Sequence, residues 1–164
     1  MPKITTFLTY KGNAEDAAAF YVSIFPNSRV TRTTRYLEGA PIPAGTVMTV
    51  EFELDGEPFV ALNGGEHFKF TDGISLSVDC KDQREIDHYW SALTADGGEE
   101  VACGWLRDKF GVSWQINTHA LADMLADADR ERANRAFAAM MKMKKIVIAD
   151  LESAFKGEQG KGMA

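Results

Sequence analysis

Apolar side chains recur along this chain in two rhythms, and each rhythm occurs twice. In "NAEDAAAFYVSI" (13–24), Ala17, Phe20, Tyr21 and Ile24 fall at i, i+3, i+4 and i+7, the spacing that gathers side chains on one face of an α-helix. In "DQREIDHYWSAL" (82–93), Ile86, Tyr89, Trp90 and Leu93 repeat that spacing. Both segments open on a capping residue, Asn13 or Asp82, with an acidic residue three places on, Asp16 or Glu85. Each therefore predicts a capping box, in which side-chain oxygens satisfy the free amides of the first turn. The first helix is predicted to stop at Pro26-Asn27 and the second at Asp96-Gly97-Gly98.

Around the helices the pattern alternates instead. "ITTFLTY" precedes the first helix and "GISLSVD" the second. After the first come "SRVTRTTRY", "TVMTVEFEL" and "PFVALN", the last two joined by Asp55-Gly56, a hairpin signal. After the second come "EEVACGWL", a turn near Asp108–Gly111, and "VSWQIN". Each half reads as strand, helix, then two or three antiparallel strands: an α+β fold of two fused βαβββ modules. The expected boundaries are about 1–70 and 71–118, with 119–164 a C-terminal helical extension. Residues 37–46, "LEGAPIPAGT", form a Pro- and Gly-rich loop of the kind that lies over a pocket. In the tail, Ala133, Ala136, Phe137, Met140 and Met141 share helical spacing, and Leu151, Ala154 and Phe155 continue an apolar face. Such a Met-rich stripe reads as packing against the parent domain or a partner subunit. The last residues, "GEQGKGMA", read as a frayed end.

One sheet face must meet the helix, so the other is open for chemistry. In the second module Ile74, Leu76 and Val78 are expected toward the helix and Ser75 and Ser77 away from it. The same register carries Thr6, Leu8 and Tyr10 to the open side. Alternation adds Thr49, Glu51, Glu53, Ala61 and Asn63 in the first module, and Ser113 and Gln115 in the second. Trp105 and Cys103 share parity at the rim, whereas Trp114 has core parity. This mixture of hydroxyls and amides suits hydrogen bonds to a small polar or aromatic molecule. Glu51, if desolvated in such a sheet, would move toward general-base range.

Composition narrows the classes. Hydrophobic residues make up 45% of 164, enough for a packed core. The net charge of -6 argues against sequence-independent nucleic-acid binding, which needs clustered cations. No run of ~18 apolar residues occurs and no secretory leader is read, so no membrane partner and a cytoplasmic location are expected. Cys80 and Cys103 form no CxxC pair; Cys103, beside Gly104 and Trp105, is the candidate reactive thiol. His67, His88 and His119 have no metal-ligand spacing and read as surface histidines. "NGGEHFKF" (63–70) lacks the spacing of a phosphate loop and reads as a connector. Arg107 and Lys109 flank the last turn, within reach of an anionic ligand.

The segments "AFYVSIFPNSRV", "GTVMTVEFELDGEPFVALNGG", "HFKF", "SLSVDC", "CGWLRDKFGVSWQI" and "MMKMKKIVIADLESAF" closely resemble the PhnB-like family. That family often carries the label 3-demethylubiquinone-9 3-methyltransferase domain and belongs to the vicinal oxygen chelate superfamily, with its glyoxalase/bleomycin resistance-like fold. The resemblance implies a cupped mixed sheet around a cavity, often assembled as a homodimer. In metal-using members of the superfamily the ligands, typically His, Glu or Gln, come from the first and last strands of each module. Those positions fall here near Thr6, Ala61 or Asn63, Ser75 and Gln115. Alcohols, a methyl and amides lack the charge and basicity that hold a divalent cation, so no metal and no cofactor is expected. The expected ligand-binding residues are Thr6, Asn63, Ser75, Gln115 and Trp105, around a small organic molecule. The alternative is an enzyme: metal-independent, with Glu51 or Cys103 as working group; a methyltransferase, as the label says; or a metal-dependent lyase or dioxygenase. No G-x-G-x-x-G follows a strand to receive a methyl-donor cofactor in the usual way.

Overall fold

Both predicted capping residues stand at a helix start, but only one of them caps it. The computed structural model describes residues 3–158. In it helix α2 (Gln83–Thr94) begins at Asp82, whose carboxylate accepts from the Glu85 amide at 3.0 Å. Glu85 reaches back and accepts from the Lys81 amide at 2.9 Å, so the predicted box forms with its return bond one residue ahead of the capping position. Helix α1 (Ala14–Ile24) begins after Asn13, whose side chain makes no capping bond. Its first amide, that of Ala14, instead donates to Oδ1 of Asn63 at 2.9 Å. The local pattern predicted the helix, and a tertiary contact took over the cap.

The chain divides into two compact units, residues 1–70 and 71–164. In the first, α1 is followed by β2 (Arg29–Arg35), β3 (Val47–Leu54) and β4 (Glu57–Asn63), and preceded by β1 (Thr6–Tyr10). The sheet order is β1-β4-β3-β2, with β1 parallel to β4 and the other pairs antiparallel. Asp55 (φ 49°) and Gly56 (φ 82°) both hold positive φ between β3 and β4, as a two-residue hairpin of this hand requires. Ala17, Ala18, Tyr21 and Ile24 of α1 are buried with Val50, Phe52 and Leu54 of β3. The alanines let the helix approach the sheet closely, and Tyr21 stacks on Phe52 with ring centroids 6.2 Å apart. Each such large side chain contributes about 1.5–3 kcal/mol through burial.

The second unit repeats the plan and then adds to it. Its strands are β5 (Leu76–Asp79), β6 (Glu99–Glu100), β7 (Trp105–Arg107) and β8 (Ser113–Asn117), ordered β5-β8-β7-β6 with β5 parallel to β8. Ile86, Trp90 and Leu93 of α2 are buried together with Leu106, Trp114 and Ile116, so Trp114 lies in the core as its parity predicted. Asp108, 3% exposed, accepts from the Trp114 indole at 2.9 Å and from the amides of Phe110 and Val112. The segment "EEVACGWL" is not one strand. It breaks between β6 and β7, where Cys103 (φ 59°) and Gly104 (φ 84°) both turn left-handed.

Three helices complete this unit: α3 (His119–Leu125), α4 (Arg130–Met140) and α5 (Ile148–Lys156). The segment between α4 and α5 returns to the β6–β7 turn. There Cys103 N donates to Met143 O at 2.8 Å and Gly104 N to Lys144 O at 2.7 Å. Gln83 of α2 clasps the same segment, donating to Ile146 O at 3.0 Å and accepting from Ile148 N at 2.8 Å. In the Met-rich stripe Ala133 and Ala136 face inward, while Phe137 and Met141 remain about half exposed. Gly157 closes α5 in a left-handed cap, and residues 159–164 of the expected frayed end lie outside the described residues. Among the described residues no helix is long and apolar enough to cross a membrane.

Candidate functional site

The polar face of the second sheet gathers most of the groups with chemistry to offer. Strand register sets Trp105 beside Gln115 and Arg107 beside Ser113, with Ser77 on the other side of Gln115. Gln115 Nε2 donates to Ser75 Oγ at 2.9 Å, so these two predicted residues meet directly. Trp105 and Gln115 are each half-buried, accessible yet fixed by neighbours. Leu76, Val78, Leu106, Trp114 and Ile116 take the opposite parity, which is why the polar set has this face to itself.

At one end of this face stands an ion-pair cluster that alternation alone did not reveal. Arg107 donates through Nε to Asp72 Oδ1 at 3.0 Å and through Nη2 to Oδ2 at 2.9 Å, a two-pronged grip. Its Nη1 donates to Glu99 Oε2 at 2.6 Å. Ser113 Oγ adds a bond to Asp72 Oδ1 at 2.8 Å. The bonds from Arg107 and then Ser113 hold the Asp72 carboxyl down at about 2, and the two carboxylates raise the guanidinium. Asp72 belongs to the turn just before β5. Its signal in the sequence was an Asp-Gly pair ahead of an alternating run, together with an arginine two residues from Trp105 on one strand.

The first unit departs from expectation by one residue of register. Thr49, Glu51 and Glu53 share the face away from α1, as predicted, but Thr6, Leu8, Tyr10, Ala61 and Asn63 lie on the helix side. Leu8 and Tyr10 are buried there, and the Tyr10 hydroxyl donates to that of Tyr21 at 3.0 Å. Burial of these two side chains outweighs exposure of Phe7, so the alignment between the two first strands slips by one position. Thr6 and Asn63 are therefore not on the polar face. Thr6 is exposed at the start of β1. Asn63 is 3% exposed and fully engaged: it caps Ala14, donates to Glu15 Oε1 at 2.8 Å and to Val47 O at 3.0 Å.

The two reactive-group candidates also have neighbours. Both carboxylate oxygens of Glu51 accept from Arg32 on β2, next to a second cross-strand pair between Arg29 and Glu53. The Glu51 bonds raise the Arg32 guanidinium. Glu51 is thus held at both oxygens by a guanidinium on a partly exposed sheet. Cys103 is off the strand, in the left-handed turn, with Sγ 3.8 Å from Met141 Sδ. It does not share a strand face with Trp105.

The superfamily's metal positions can be tested against these donors. Thr6 and Asn63 take the helix side of one sheet, and Ser75 and Gln115 are neutral partners of each other on the polar side of the second. Among the described residues no three His, Cys, Asp or Glu side chains gather as a ligand set. His119 lies 3.7 Å from Asp79 and 4.0 Å from Asp123, all well exposed. Neutral alcohol and amide oxygens lack the charge and basicity to fit a divalent cation.

Two βαβββ units, each with its first strand parallel to one neighbour and the rest antiparallel, define the glyoxalase/bleomycin resistance-like fold of the vicinal oxygen chelate superfamily. Within that superfamily the chain belongs to the PhnB-like family: residues 2–117 match the family model described as 3-demethylubiquinone-9 3-methyltransferase. The PhnB protein from Bacillus cereus is 38% identical, with a TM-score of 0.64 over 70% of this chain and 98% of that one. Protein PA1353 from Pseudomonas aeruginosa, 20% identical with a TM-score of 0.58 over 72% and 98% of the two chains, shares the fold. A Staphylococcus aureus protein is 32% identical over 71% of this chain and 95% of its own, with a TM-score of 0.33. No curated protein matches the chain.

Proposed function

We propose that this protein binds a small organic molecule on the polar sheet face of its second unit, without a metal. The observation that carries the reading is the row formed by Trp105, Gln115 and Ser75. An accessible indole stands beside an amide that is itself held by a hydroxyl, at 2.9 Å. The indole supplies a flat apolar surface, and the amide supplies one donor and one acceptor in fixed positions. That combination recognises a planar molecule with a polar edge. Asn63 and Thr6 are left out of this site by their place on the helix side of the first sheet.

The family description favours a second reading, methyl transfer. Each sheet contains one parallel strand pair, whereas the usual methyl-donor cradle stands at the carboxyl ends of several adjacent parallel strands. Binding is the better supported reading. A homodimer accompanies it, as the family resemblance implies, in a reducing compartment such as the cytoplasm, where the free thiols of Cys80 and Cys103 stay reduced.

Ligand-observed NMR against a panel of aromatic acids, amides and alcohols tests the proposal, with metal content measured on the same sample. The expected result is saturable binding that Trp105→Ala and Gln115→Ala each weaken, at less than a tenth of an equivalent of metal. Stoichiometric metal, or transfer of a labelled methyl group from S-adenosylmethionine to 3-demethylubiquinone, would overturn it. Light scattering of the purified chain decides the dimer.

A further inference from the structure

The ion-pair cluster at the end of the polar face resembles a ligand complex in which the chain supplies its own ligand. We infer that Arg107 and Ser113 form a carboxylate-recognition site, occupied by Asp72, which admits the acid group of an aromatic carboxylate whose ring lies beside Trp105 and Gln115. This names a ligand class for the binding reading above and rests on it.

Geometry supports the exchange. The Nε and Nη2 donors of Arg107 meet the two oxygens of one carboxylate at 3.0 and 2.9 Å, and Ser113 Oγ meets the first of them at 2.8 Å. Such a fork fits any carboxylate, whether from the chain or from a ligand. Ser113 is only 2% exposed, so its hydroxyl is a fixed part of the face. The occupant is the opposite: the Asp72 side chain is 58% exposed, on a turn, where water competes for the pair. Glu99 occupies Nη1, outside the two-pronged contact, so the exchange does not require it to move. One acid therefore replaces another at constant charge, and a third acid would meet two carboxylates already facing one cation.

Register sets the size of the ligand. The Arg107–Ser113 pair lies two residues along the strands from the Trp105–Gln115 pair, on the same face. Two residues of strand span about 7 Å. An acid one or two carbons from an aromatic ring bridges that distance, leaving the ring against the Trp105 indole and beside the Gln115 amide.

Titrating phenylacetate and its neutral isostere phenylacetamide into the full chain, by ligand-observed NMR at low salt, tests the exchange. Asp72→Ala is expected to tighten phenylacetate about tenfold and to leave phenylacetamide unchanged. Arg107→Gln is expected to bring phenylacetate down to the level of the amide, with circular dichroism confirming that the variant is folded. Unchanged phenylacetate affinity in Asp72→Ala overturns the exchange. If the amide binds as tightly as the acid to the native chain, the acid site falls while the binding reading stands. If neither probe binds any variant and the wider panel also fails, both fall.

Discussion

The side-chain oxygen of Asn63, at the end of β4, accepts the backbone N–H of Ala14, 49 residues earlier and at the start of α1. One buried amide thus joins three elements: it caps the helix, holds Glu15 of its first turn and closes on the carbonyl of Val47 at the start of β3. Removing it leaves buried donors and acceptors unpaired. Asn63→Ala is expected to lower stability by about 2–4 kcal/mol. Asn13→Ala, at the conventional capping position, is expected to cost under about 0.5 kcal/mol. Urea unfolding of the two variants side by side checks the contrast.

Asp108 plays a similar part in the second unit. Its carboxylate serves the Trp114 indole and two amides of the β7–β8 turn in a buried setting. Asp108→Ala leaves those groups without it, and a loss of about 3 kcal/mol is expected. Asp108→Asn keeps one acceptor and is expected to lose less. Intrinsic fluorescence during urea unfolding reports both.

The Asp72–Arg107 pair predicts an acid window. Asp72 is held at about 2 in the folded chain against 3.8 normally, by its bonds to Arg107 and Ser113. Asp87 is lowered too, chiefly by Lys145 and Gln83. A carboxyl lowered by folding adds stability above its unfolded value, and that share is lost as the acid form takes over. Melting temperature is therefore expected to fall as pH drops from about 4 to about 2. In Asp72→Asn that slope should be shallower, and added salt should reduce the difference between the two proteins.

The two thiols are expected to react at different rates. Burial, helped by the nearby carboxylates of Glu85, Asp79 and Asp82, pushes the Cys80 thiol up to about 12. At pH 8 it is protonated as well as enclosed, whereas Cys103 is only half-buried. Labelling of the folded chain with a thiol-specific disulfide reagent should stop at one equivalent, on Cys103, with the second appearing only in denaturant. Mass spectrometry of the peptides identifies the site.

Gly104 predicts a sharp local penalty. Its φ is +84°, and an added Cβ would stand 2.9 Å from Ile116 O and 3.0 Å from Ile146 Cγ1. Gly104→Ala is expected to cost about 2 kcal/mol or more, through strain and displaced backbone together. Gly39→Ala, also at positive φ but with open space around it, is expected to cost less. Thermal melts of the two variants separate packing from conformation.

Much of this architecture was legible in the sequence because some patterns admit a single solution. In β5 and β8 the alternate residues Leu76, Val78, Trp114 and Ile116 are all apolar and their neighbours polar, so only one face can be inside. Strand β1 offers no such choice. "TFLTY" has large apolar residues at both parities, and the decision falls to a hydroxyl pair between Tyr10 and Tyr21 that no local pattern contains. The break at Cys103 was hidden for a related reason. "EEVACGWL" alternates well enough to pass for one strand, and only the Cys-Gly pair hinted at a turn. The Asn63 cap and the Asp72–Arg107 pair each join residues far apart in the chain, which spacing rules do not reach.

The clasp between Gln83 and the segment ahead of α5 separates two boundaries that are easily equated. The family model ends at residue 117, yet the amides of Cys103 and Gly104 find their acceptors at Met143 and Lys144, and Ile146 is fully enclosed. A chain shortened to the matched residues would expose both amides and uncover the floor beneath Gly104, the residue just before β7, whose Trp105 and Arg107 stand on the polar sheet face. For expression, domain grafting or fusion, the smallest piece to carry forward runs through α5.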